Sequence, residues 1–111
     1  MRKASLTALA REHLEAAGRS TNGRSAHTVY GGHEHVLRQT IIAMTAGQVL
    51  AEHENPGEAT VHVLQGRVQL TAGEEDWNGS PGDLITVPSA RHSLTAVEDS
   101  VILLTVAVSR R

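Results

Sequence analysis

From Val36 to Val108 the chain is cut into short β-branched runs by Gly, Pro, Asn and Asp, and no helical period recurs there. That punctuation restricts the stretch to strands joined by turns, because an amphipathic helix needs apolar residues at three- and four-residue spacing. Val36–Met44, Thr60–Leu64 and Leu84–Val87 are three such runs. Arg67–Thr71 alternates polar Arg67, Gln69 and Thr71 with apolar Val68 and Leu70, the period of a half-buried strand. Val101–Val108 is almost continuously apolar and predicts a strand buried on both faces. Ala72–Ser80, which carries Glu74, Glu75 and Asp76, reads as a solvated turn region. Strands at this spacing predict a closed or sandwiched all-β domain.

The N-terminal segment follows a different period. Leu6, Leu9, Ala10, Leu14 and Ala17 fall on one helical face, with Ser5 as N-cap and Gly18 at the expected C-cap. Residues 19–26 are polar and predict a connector. The expected division is therefore a helix and connector over 1–32 and a β-barrel domain over 33–111. A chain of 111 residues is expected to be one small domain with no room for a second core. Phe and Cys are absent, and Trp77 and Tyr30 are the only large aromatics, so Val, Leu, Ile and Ala must fill the interior.

Several function classes drop out on composition. The formal net charge of −2 is spread evenly, which disfavours nucleic acid or an anionic membrane as partner, since both demand a basic face. Without cysteine there is no thiol nucleophile, disulfide framework or iron–sulfur cluster. No apolar run approaches the ~20 residues that span a bilayer. The first ten residues lack a secretory pattern, so a cytoplasmic location is expected. No nucleophile elbow, phosphate loop or dinucleotide fingerprint occurs.

Seven histidines in 111 residues focus attention on imidazole chemistry. His13 lies in the helix and His27 in the connector, neither with a partner at ligand spacing. His33 and His35 form an H-x-H pair at period two, a spacing that could hold a metal but that, before the first clear strand, reads rather as exposed polarity at a sheet edge. Arg38 and Arg67 open strands; arginines so placed can clamp a carboxylate, but more often they are solvated strand ends. His53 and His92 sit in two ordered blocks, Gly47…His53-Glu54-Asn55…Ala59…Gly66 and Gly82…Pro88-Ser89-Ala90-Arg91-His92.

These blocks resemble the two motifs of the cupin superfamily, G-x5-H-x-H-x3,4-E-x6-G and G-x5-P-x-G-x2-H-x3-N. Gly47, His53 and Gly66 match the first in register, and Gly82 and Pro88 match the second. His92 falls one residue early, and Ala90 replaces the inner glycine. The resemblance covers about residues 36–108 and implies an all-β cupin-type barrel, the double-stranded β-helix or jelly roll, preceded here by a short helix. It also implies a site of three His and one Glu or Gln around Zn, Ni, Fe, Mn or Cu. In this chain Asn55 stands at the second histidine position and Ala59 at the carboxylate position, so the motif is degenerate. His53 and His92 remain as the candidate metal ligands, with His62 and Glu58 as weaker candidates whose strand parity opposes that of Ala59. Any divalent transition metal is therefore expected to be weakly held or absent.

The reading that follows is a small single-domain cupin that binds a small molecule or a weakly held metal. The alternative is a metal-dependent cupin enzyme of the dioxygenase, isomerase or decarboxylase type, and a ligand-sensing module is a third reading. A homodimer is expected, because a small domain without staples gains stability by pairing, with Val101–Val108 and the N-terminal helix as the candidate faces. Gly66 is expected to turn a hairpin before Arg67 and to play no part in chemistry.

Overall fold

The computed structural model describes residues 2–53 and 57–108, with the side chains of Glu52 and His53 outside that description. Within these bounds the chain forms a helix, α1 (Leu6–Arg19), and nine strands: β1 (Arg24–Tyr30), β2 (Leu37–Met44), β3 (Val49–His53), β4 (Gly57–Gln65), β5 (Val68–Ala72), β6 (Glu75–Gly79), β7 (Leu84–Val87), β8 (His92–Ala96) and β9 (Ser100–Val108). The strands build a five-stranded sheet in the order β1-β2-β9-β4-β7 and a four-stranded sheet in the order β3-β8-β5-β6. Every pairing is antiparallel. The two sheets pack as a jelly roll, and their ladders do not close into one ring among the described residues.

Side-chain alternation decides which residues meet between the sheets. Met44, Val63, Val68, Leu70, Leu94, Ala96 and Ile102 form the buried interior. Each large aliphatic side chain so buried contributes roughly 1.5–3 kcal/mol. The opposite face of the five-stranded sheet carries Ile41, Ala43, Val101 and Leu103, and α1 covers them with Leu6, Leu9, Ala10, Leu14 and Ala17. A second core is thus present, against the expectation of one, because α1 covers the sheet's outer face; it explains why β9 is apolar on both faces, Ile102 pointing between the sheets and Val101 and Leu103 under the helix.

Helix α1 starts as its sequence predicts, with Ser5 Oγ accepting from Ala8 N at 3.2 Å. Its end differs. The helix runs through Gly18 to Arg19, and extended Ser20 donates its N–H to Ala17 O, so no left-handed glycine is needed. The segment expected as a polar connector turns into β1 at Arg24, where polar residues suit an edge strand beside β2. Likewise Glu75–Gly79 is a strand, β6, hairpinned to β5 through Gly73 at φ 62°. Its exposed edge position removed the apolar alternation by which strands are recognised.

Gly66, at φ 84°, does not turn a hairpin within one sheet; it carries the chain from β4 in the five-stranded sheet to β5 in the other. A Cβ there would collide with the Asp99 carbonyl and Ser100 Oγ and come within 2.7 Å of Ser100 Cα. Ser100 is fully buried, and its hydroxyl accepts from Arg67 N at 3.0 Å, which ties the crossing to the start of β9. No helix among the described residues is long and apolar enough to cross a membrane.

Candidate functional site

On β2 and β9 the inner face of the five-stranded sheet passes from a buried end to a half-buried end, here called the open end. Inner-face positions of the five-stranded sheet lie in register rows. Ile42, Ile102 and Val63 make one row across β2, β9 and β4. Thr40, Leu104, Val61 and Ile85 make the next, and Arg38, Val106, Ala59 and Val87 the one beyond. Along β9 the inner side chains pass from buried Ile102 to half-buried Leu104, Val106 and Val108, and along β2 from buried Met44 to half-buried Ile42, Thr40 and Arg38.

The other sheet runs parallel to this gradient. Val68 is the register partner of both Ala96 and Gly79, and a Cβ on Gly79 would meet Val63 and Ile85 of the facing sheet. Ala96 therefore sits at the sealed end. Two residues along β8 is Leu94, in register with Leu50, Leu70 and, through β5, Trp77. Two more is His92, which reaches the open end with the same inward parity.

His92 is only 4% exposed. Its Nδ1 donates to Ala90 O at 2.9 Å, since a carbonyl oxygen can only accept. With Nδ1 donating, the neutral ring carries its lone pair on Nε2. The residue one step early against the motif is thus the one with inward parity, while Ser93, at the motif position, pairs with Thr71 on the outer side of its strand.

The remaining candidates separate. His53 is the register partner of His92 across β3 and β8, so the two positions are adjacent in the sheet. Asn55 lies outside the described residues. Ala59 is buried between Val106 and Val87, placing a methyl group where the family motif has a carboxylate. The β4–β9 register is continuous from Gly57 through Val63, which leaves Glu58 exposed and His62 half-buried on the outer face, away from His92. His62 sits between Leu84 and Leu103 there. Among the described residues no group of three His, Cys, Asp or Glu is placed to hold a metal ion. The described residues do not fit a three-histidine, one-carboxylate centre.

The other histidines have local partners. His13 Nδ1 lies 2.7 Å from Ser25 Oγ, and its ring stacks on His27 at 5.3 Å, joining α1 to β1. His35 packs against Tyr30 with ring centroids 5.0 Å apart. Sequence spacing carried no sign of either contact, because one depends on the packing of α1 against β1 and the other on the β1–β2 connection.

A family model described as Cupin domain matches residues 40–108. Comparison with curated proteins finds no match. Among solved structures, the chain is similar to SPY1581, a conserved protein of unknown function from Streptococcus pyogenes, with a TM-score of 0.74 and 27% identity, covering 83% of this chain and 80% of that one. It is similar to an RmlC-like cupin protein from Desulfovibrio desulfuricans, with a TM-score of 0.66 and 25% identity over 76% of this chain and 81% of that one. KdgF from Halomonas sp. gives a TM-score of 0.63 and 25% identity, with 79% and 82% covered. The matched segment spans every strand from β3 to β9 and most of β2, so the protein belongs to the cupin family.

Proposed function

We propose that this cupin binds a small organic molecule at the open end of its sandwich, with His92 as the polar anchor. One observation supports the reading: the inner face grades from buried to half-buried along β2 and β9, and the buried imidazole of His92 lies at the half-buried end. An apolar concavity with a few placed polar groups is the common form of a small-molecule site. Leu104 and Val106 supply the apolar wall, and His92 supplies a buried imidazole among them. The methyl of Ala59 at the carboxylate position favours binding over metal-dependent catalysis.

A ligand-observed NMR screen of small-molecule fragments tests the reading, run on the wild type and on His92→Gln. Fragments that bind the wild type and are lost or weakened in His92→Gln are the expected result. A set of binders indifferent to both His92→Gln and Leu104→Ala would contradict it.

A further inference from the structure

A second concavity lies on the edge-strand side of the sandwich. Thr28, Gly31, Gly32, His33, Arg38 and Thr40 line a cavity of about 240 Å³ where β1 passes into β2. Thr28 and Thr40 are register partners, and Arg38 is two residues from Thr40 on the same face. The cavity's described lining carries hydroxyl, guanidinium and imidazole groups and no carboxylate.

Arg38 is the unusual member. It is half-buried in a row whose other members are Val106, Ala59 and Val87. Its Nε donates to His35 O at 3.4 Å. Gly31, at φ 136°, lies so close that a Cβ there would come within 3.2 Å of both Arg38 Cα and Cγ. The glycine lets the loop press on the arginine stem, and the His35 carbonyl holds its head. Among the described residues no carboxylate pairs with the guanidinium, and neither threonine hydroxyl has a hydrogen-bond partner. Taking a cation partly out of water without a counter-ion is costly, so such groups are ordinarily paired.

We propose that this cavity is a binding site for a small monocarboxylate, gripped by the Arg38 guanidinium and the Thr28 and Thr40 hydroxyls. The planar guanidinium fork matches a carboxylate bidentately. One permanent positive charge balances one negative charge, whereas a phosphate dianion would leave a charge unmatched. The volume lies below the ~300–1,000 Å³ typical of drug-sized ligands, which limits the acid to a few heavy atoms. Arg38 and Thr40 are register partners of Val106 and Leu104 on the same inner face, so the site adjoins the His92 end but is built from its own polar residues on β1 and β2.

Titration of ¹⁵N-labelled protein with sodium propionate, against sodium chloride and sodium phosphate at matched ionic strength, tests it. Propionate is expected to give saturating shifts at the amides of Thr28, Gly31, Gly32, His33, Arg38 and Thr40. Arg38→Gln is expected to weaken binding about tenfold or more, the usual scale for losing a charge-assisted pair. Thr40→Val should weaken it with Arg38 still in place, and His92→Gln should leave it unchanged. Equal shifts from chloride, tighter saturation by phosphate, or unaltered affinity in a folded Arg38→Gln would overturn the assignment. So would loss of propionate binding in His92→Gln, which would give the ligand to the other pocket.

Discussion

His53 and His92 are register partners across β3 and β8, in a ladder whose regular spacing breaks between Leu50 and His53. The pairing brings together two positions 39 apart in the chain, one from each sequence block. Two imidazoles hold Zn²⁺, Ni²⁺ or Cu²⁺ only modestly, because catalytic zinc sites use three protein ligands and structural ones four. Untagged protein purified without chelators should therefore carry well under one transition metal per chain by elemental analysis. His53→Ala and His92→Ala should each remove what remains. Full retention in both, with loss in His62→Ala or Glu58→Ala, would move the ligand set to the outer face of β4.

Gly66→Val should destabilise the fold without altering ligand preference. The substitution forces a β-branched residue to φ 84° and drives its Cβ into the Asp99 carbonyl and Ser100 Oγ. Positive φ alone costs a non-glycine residue about 1 kcal/mol or more, and the steric overlap adds to it. Urea unfolding gives the size of the loss. A variant of wild-type stability that has lost only its ligand would contradict the structural role.

The sealed and open ends should respond differently to truncation. Ile102→Ala empties a fully buried position between the sheets and should cost about 2–5 kcal/mol. Leu104→Ala, two residues along the same face and half-buried, should cost clearly less and should weaken fragment binding. Equal destabilisation by the two variants in urea would mean that β9 is packed uniformly and the cavity closed.

Self-association is the fourth expectation. Helix α1 already covers the outer face of β9 at Val101 and Leu103, so that part of the expected pairing surface is used within the chain. Tyr30 and Leu37 remain exposed near the β1–β2 connection, on the outer side of their strands, and are the expected apolar contact for a second copy. Light scattering at micromolar concentration should give twice 11.8 kDa, and Leu37→Glu should return the monomer. A wild-type mass of 11.8 kDa would contradict the dimer.

The sequence was legible where apolar periodicity and motif spacing spoke together. Alternation around Ala59, Val61 and Val63 correctly set the inner face of β4, and it assigned His62 to the other side. It failed at edges: β1 and β6 each have a partner on one side only, so their polar composition resembles that of loops. Motif spacing placed His92 one residue early, and only the strand parity of β8 shows that this residue turns inward. Arg38 stood out in the sequence only as an arginine at a strand opening, and the cavity around it had no local signature. It forms because a register shift between Thr28 and Tyr30 precedes Gly31, which then folds against the arginine stem.

The most direct measurement for the open-end site is a ¹H–¹⁵N shift map of the labelled wild type with the strongest fragment from the screen. Shifts should cluster on His92, Ala59, Val87, Leu104 and Val106, the residues around the half-open end. Shifts concentrated instead on α1, or on Thr60 and His62 of the outer face of β4, would contradict the account.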